Sequence, residues 1–402
     1  MKKAIVSSLV GFGLLVGTAQ ATCLFEHNDT VRISANSFEA WKVVTDAMRA
    51  CAPVEAELDV EYRNKQPTAF NARPSLYELG GVTNSTIIPL INDGLIRPLD
   101  SLVEKYSDHI NPNQLIRING EVKALSMMIN TQHLMYRSDI FEDLGLDVPS
   151  TYDEVLSAAE AIKAAGVVDY PLGGTFKAGW DLGEEFVNMY LGFGGDFFDG
   201  SDAAVNNDAG IKTLEMLKAL TQYMDPEYLV SDSTYVQQQF QQGKIAMANL
   251  WASRANAMDN ASESSVVGKV SMAAAPAAYE GGRPATTLWW DGIVVAANIS
   301  DAKAEAAFKA ALEGFKPEMV EANNDVAVWL LQGYQPGRLS EGAAATANAG
   351  AASYPSRIEM GLMHSALGNN VSDYLTGRRS AEETLRAIES SYRTAAREQG
   401  IL

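Results

Sequence analysis

Cysteine and histidine are scarce in this sequence, with two and four residues respectively among 402. No Cys-x-x-Cys pair and no Cys/His cluster occurs, which argues against a structural zinc site. Positive charge is also in deficit. The chain has 31 Lys+Arg against 50 Asp+Glu, a formal net charge of −19, and lacks the basic balance that phosphate neutralisation requires, so a nucleic-acid partner is not expected. The familiar catalytic signatures are missing as well. There is no H-E-x-x-H, G-x-S-x-G, G-x-x-x-x-G-K-[ST] or G-x-G-x-x-G. Gly192-Phe193-Gly194-Gly195 reads as a turn. Ser300-Asp301-Ala302-Lys303 reads as a helix cap, because the companions of an S-x-x-K nucleophile are lacking. The acidic stretch 196–208 does not have calcium-loop spacing. No catalytic residue, metal or cofactor is assigned.

What is present is an ordinary globular composition, 47% hydrophobic and 20% charged. This excludes a disordered chain, a fibrous repeat and a polytopic membrane protein. About 400 residues exceed what one core usually serves, so two lobes are expected. The first residues, Met1-Lys2-Lys3, an apolar run from Ala4 to Val16 and Ala19-Gln20-Ala21, have the form of an export signal cleaved after Ala21. Gln20 stands where a lipoprotein signal would carry an aliphatic residue. In an exported protein, Cys23 and Cys51 most simply form one disulfide, tying the chain entry to the end of the first helix.

The pattern then opens strand–helix–strand. Val31–Ala35 reads as a strand, Asn36-Ser37 as an N-cap, 38–50 as an amphipathic helix and 54–62 as a half-exposed strand. That unit belongs to a parallel or mixed sheet with helices on its faces. Short helices are expected at 87–91 and 99–106, and a strand at 121–129. Thr151 to Glu154 and Ser380 to Glu383 are capping boxes, and Gly166 is a helix stop. Further helices are expected at 210–224, 234–242, 302–315 and 318–331. Residues 333–353, rich in Gly, Ala and Pro, have little periodicity.

Several segments now become specific. Asn92-Asp93-Gly94-Leu95-Ile96-Arg97-Pro98-Leu99-Asp100 is similar to "x-x-G-L-L-x-P-L-D", and Ala124 to Asn130 to a first crossover. Asp139-Ile140-Phe141, Gly145-Leu146 and Pro149 to Glu154 follow "D-L-F-x-x-x-G-L-x-x-P-x-T-W-D-E". Phe240 to Met247 matches "F-x-x-G-K-A-A-M", and Thr376 to Leu385 a C-terminal "x-G-x-x-x-x-E-E-A-L". In this order, over roughly residues 30–395, the chain resembles the family-one extracellular solute-binding proteins of bacterial ABC importers, the group that contains maltose-binding protein. It departs from the pattern at Leu76 to Val82, which lacks Pro-Asp, and at Asn249-Leu250-Trp251, where Gly-Ser-Trp is usual.

The resemblance implies an α/β fold of two lobes, each a mixed sheet flanked by helices, with the ligand in the cleft between them. Lobe 1 is expected from 22–128 plus 291–338 and lobe 2 from 129–290 plus 339–402, with crossovers near 125–132, 285–292 and 333–353. It implies a monomeric periplasmic protein that captures a small solute, a mono- or oligosaccharide, and delivers it by hinge closure to the permease subunits of an ABC transporter. The alternatives are a polyol, polyamine or glycerol phosphate on the same fold, or a periplasmic hydrolase. Sugar sites combine aromatic faces with planar polar side chains. The expected ligand residues are therefore Trp251, Trp289, Trp290, Asp291, Trp180, Asp181, Asn36, Ser37, Glu39, Asn84, Ser85 and Arg357. Trp289 and Trp290 are neighbours on a strand, so at most one faces the cleft. Trp41 lies on the apolar stripe of its helix and reads as core.

Overall fold

The computed structural model describes residues 23–402, so the expected export signal lies outside the described residues. The chain opens with strand β1 (Val31–Ala35), helix α1 (Glu39–Cys51), strand β2 (Val54–Leu58), helix α2 (Tyr62–Asn71) and strand β3 (Leu79–Thr83). β1 runs parallel to both β2 and β3. Cys23 and Cys51 are joined in a disulfide that fastens the start of the described chain to the last residue of α1.

Eleven strands form one continuous sheet. Its main path runs from β2 through β1 and β3 to the strand Thr287–Val295, then to the 17-residue strand Glu121–Arg137, and on to Ile245–Trp251 and Tyr170–Gly173. The two strands in the middle carry the organisation of the molecule. The long strand gives Val122, Ala124, Leu125, Met127 and Met128 to one core, Leu134 to a second and Met135 to a smaller third. Thr287–Val295 gives Ile293, Val294 and Val295 to the first core and Trp289 to the second. The first core gathers residues between Val31 and Met128 and between Ile293 and Leu331. The second gathers residues between Leu134 and Trp289 and between Tyr354 and Ala396.

These two strands pair antiparallel from Leu288↔Thr131 to Ile293↔Leu125, with a register shift between Asp291 and Gly292. At the shift the backbones come very close. A Cβ on Gly292 would lie 2.3 Å from the Leu125 carbonyl oxygen and 2.7 Å from the Ser126 Cα. Only glycine fits there, because the obstacles are main-chain atoms that no rotamer change can move.

Local chemistry explains most element boundaries. Thr151 and Ser380 form reciprocal capping boxes with Glu154 and Glu383, and Gly166 ends its helix in the left-handed region at φ 65°. The Ser300 hydroxyl accepts from the Lys303 amide at 3.3 Å, so this serine is a cap. Four expectations need correction. Asn36-Ser37 do not cap α1: Phe38 is the N-cap, with no side-chain hydrogen bond. The strand expected to reach Tyr62 stops at Leu58, where Asp59 accepts from the Glu61 amide at 2.9 Å and turns the chain into α2. The helix expected over 318–331 ends at Ala322. A short 3₁₀ turn at Asn324–Val326 follows, and then Val328–Trp329 pairs with the long strand. β-Branched and aromatic residues favour that pairing, while Asn323 and Asn324 favour a turn. Within the aperiodic stretch 333–353, Glu341–Asn348 is a helix.

Replacing Gly292 by alanine is expected to cost about 3 kcal/mol, the upper part of the overpacking range. Gly361→Ala is the control. Gly361 lies in the helix Ile358–Leu375 with no atom within 4 Å of its virtual Cβ, so alanine there should be neutral or stabilising by up to about 1 kcal/mol. Denaturant midpoints of the two variants test the pair.

Candidate functional site

Aromatic side chains from separate segments converge beside the two central strands. Trp180 opens the helix Trp180–Gly192, Trp251 ends its strand, Trp289 lies on Thr287–Val295, and Tyr354 and His364 come from near the helix Ile358–Leu375. Trp180 is near-parallel to Trp251 at 6.4 Å between centroids and meets Trp289 edge-on at 5.7 Å. Trp251 meets Trp289 edge-on at 6.1 Å, and Trp289 contacts Tyr354 at 4.2 Å. Trp289 is only 5% exposed, whereas Trp180 and Trp251 are half-buried. The adjacent Trp290 packs against the other core, as strand alternation requires.

Buried polar groups hold this cluster in place. His364 stacks on Trp180 at 5.0 Å. Its Nε2 lies 2.8 Å from the Trp180 carbonyl and its Nδ1 2.8 Å from the Tyr354 hydroxyl. Burial lowers its pKa to about 4, so the ring is neutral at physiological pH. Glu184 accepts from the Thr287 hydroxyl at 2.6 Å and from the Trp289 indole N–H at 3.0 Å. Its carboxyl is pushed up to about 8, chiefly by burial. The neighbouring Glu185, bonded to Thr175 and to Gln132, is raised to about 7 for the same reason.

Two further carboxyls sit next to these tryptophans in sequence, Asp181 after Trp180 and Asp291 two residues after Trp289. Asp291, on the shared strand, is 5% exposed, receives the Trp41 indole N–H at 3.4 Å and is raised to about 7 by burial. Trp41 itself is fully buried, in agreement with its reading as core. Asp181 is raised to about 6, first by burial and then by repulsion from Asp232, against the attraction of Lys177, Arg63 and Arg254. Such a set suits a polar, hydroxyl-bearing ligand. Aromatic faces cover C–H surface, and carboxyls accept or donate hydrogen bonds according to protonation.

The other expected site residues have partners of their own within the fold. Asn84 donates to the Leu288 carbonyl at 3.2 Å and accepts from the Trp290 amide at 2.9 Å, so both ends of its amide brace the shared strand. Ser85 lies beside the Thr83 hydroxyl. Asn36 accepts from the Ser37 amide at 2.8 Å. Glu39 is exposed and pairs with Lys42. Arg357 pairs with Glu359, donates to the Gly200 carbonyl and lies over Phe198. Sequence reasoning missed Glu184, Tyr354, His364 and Arg63, whose guanidinium lies 4.8 Å from the Trp180 ring centroid. No local motif marks them. Among the described residues, Cys23, Cys51 and Glu313 group as metal-type ligands, but both sulfurs are committed to the disulfide.

With this geometry in hand, residues 79–313 match the profile of the bacterial extracellular solute-binding protein family. The chain belongs to that family. A multiple sugar-binding protein of Streptococcus mutans is 35% identical over 66 residues, which are 16% of this chain and only 15% of that relative's length. The fold is shared along most of the chain with an ABC transporter solute-binding protein from Agrobacterium radiobacter K84, solved with ribitol. That match has a TM-score of 0.80 at 21% identity and covers 91% of this chain and 98% of the other. Maltose-bound MalE3 of T. maritima gives a TM-score of 0.76 at 19% identity, covering 91% and 99%. The two-lobed α/β architecture of solute-binding proteins is thus the architecture of this chain. Its family and its structural neighbours are binding proteins.

The buried carboxyls set a pH dependence. Their folded pKa values lie above the unfolded ones, so the folded state holds more protons between pH 4.5 and 8. Stability is then fully present below the unfolded pKa and falls as pH rises. Thermal melts should show a decreasing melting temperature from pH 5 to 8. In Glu184→Gln, whose amide oxygen still accepts from Trp289, the slope should be shallower.

Proposed function

We propose that this protein is the solute-capturing component of an ABC importer and that its ligand is a sugar or polyol. The observation that carries the reading is the convergence of Trp180, Trp251 and Trp289 beside the two strands that run through both cores, with Asp181 next to Trp180 and Asp291 two residues along the strand from Trp289. The family membership of the chain and the ribitol and maltose bound to its structural neighbours support the same class of ligand.

In this reading lobe 1 comprises 22–128 plus 291–338, lobe 2 comprises 129–290 plus 339–402, and the central strands are the hinge. The Trp251 ring covers the C–H face of the ligand. Asp181 and Asp291 take its hydroxyls, and Asn84 holds the strand that presents Asp291. Closure desolvates these contacts and brings together a surface read by the permease subunits. Nothing in this cycle breaks a covalent bond. The protein works in the periplasm after removal of the segment ending at Ala21.

A thermal-shift and calorimetric screen of the purified protein against pentitols, hexitols, mono- and disaccharides, polyamines and glycerol phosphate tests the reading. A rise in melting temperature with a sugar or polyol is expected, because a ligand that binds only the folded state stabilises it by mass action. Trp251→Ala should weaken that ligand by roughly 1–3 kcal/mol, the value of a buried aromatic face. A response confined to polyamines or phosphates would refute the sugar or polyol assignment.

A further inference from the structure

Arg63 occupies an unusual position. It lies on α2, a helix fixed to the first core. There Gln66 donates to the Ser34 and Gly81 carbonyls at 2.8 Å each, and Phe70 is fully buried. Its guanidinium nevertheless sits 4.8 Å from the ring centroid of Trp180, which packs with the second core. The charge of Arg63 also acts on Asp181, Tyr354 and His364, all from the second core or its rim.

The aromatic partner is rigid. Trp180 is stacked on His364, whose ring nitrogens hold the Trp180 carbonyl and the Tyr354 hydroxyl, and it contacts Trp251 and Trp289. The arginine comes from a firm base as well, because its neighbour Tyr62 is buried. A guanidinium over an indole is the most favourable cation–π pairing, and partial desolvation strengthens it. The neutral imidazole below the indole adds no opposing charge.

We infer that Arg63 is an interlobe latch: its cation–π contact with Trp180 holds the two lobes together across the cleft and favours closure around the ligand. The inference rests on the two-lobed capture reading above. It also divides the labour among the tryptophans. Trp180 is the closure element, touched by Arg63, and Trp251 is left as the platform for the ligand. Ligand affinity then depends on Arg63 through the closed population, whichever sugar or polyol is bound.

The test begins without added ligand. Wild type, Arg63→Ala and Arg63→Lys are unfolded, dialysed free of carried-over solute and refolded, with circular dichroism to check the fold. Small-angle scattering and tryptophan emission are then recorded. Arg63→Ala should give a larger radius of gyration and a red-shifted emission. Arg63→Lys should fall between, since lysine keeps the charge but not the planar stacking. Addition of whichever compound stabilises the wild type should then show about fivefold weaker binding by Arg63→Ala, matching a contact of about 1 kcal/mol. Scattering and emission identical in wild type and both variants would overturn the latch. Failure of the capture reading appears separately, as no stabilisation of wild type by any sugar or polyol, while the ligand-free difference among the variants still stands.

Discussion

Two strands pass through both cores, and everything else in the molecule is arranged around that fact. Thr287–Val295 and Glu121–Arg137 can lie side by side through the register shift only because residue 292 has no side chain. The close approach fixes where Asp291 falls relative to Trp289. It therefore fixes which core receives the indole and which receives the carboxyl. A one-residue slip would exchange Trp289 for Trp290 and send the carboxyl to the other face. Asn84 resists that slip by gripping the Leu288 carbonyl and the Trp290 amide together.

Burial at this crossing governs the chemistry available. Among the described residues, Glu184, Glu185 and Asp291 are withdrawn from water without a cationic partner in hydrogen-bonding range, and burial is the largest influence on each of their pKa values. Raised carboxyls of this kind can donate as well as accept hydrogen bonds near neutrality, which is why the proposed ligand is an uncharged polyhydroxyl compound rather than a polyamine, which would seek a set of ionised carboxylates. Arg254, a half-buried arginine nearby, is engaged by Gln237 and Ser233.

Legibility from sequence followed the reach of the forces involved. β1 was readable residue for residue, and both capping boxes and the Cys23–Cys51 pairing follow from local or compositional signals. The helix Trp180–Gly192 was not read, because it is buried on nearly every side and so lacks the polar face that marks a surface helix. α2 was hidden by Pro67 in its interior. Within the site, the tryptophans announced themselves by type. Strand alternation limited Trp289 and Trp290 to one cleft residue without saying which. Glu184, His364 and Arg63 were invisible, because their roles arise from contacts 103 to 184 residues away in the chain or from the meeting of α2 with Trp180.

The same reasoning separates two kinds of aromatic contact that composition alone would merge. Trp289 is sealed by Trp180, Trp251 and Tyr354 and has its indole N–H committed to Glu184 and Thr287, so its energy is spent on the fold. Among the described residues no polar group anchors the Trp251 indole, which stays half-buried beside the long strand, where Gln132 is its register partner. A ring that is held in place yet still partly wet can gain by covering a ligand, whereas a ring already dry cannot. The scaffold thus uses two indoles to build a wall and leaves a third partly wet, the one proposed to cover the ligand.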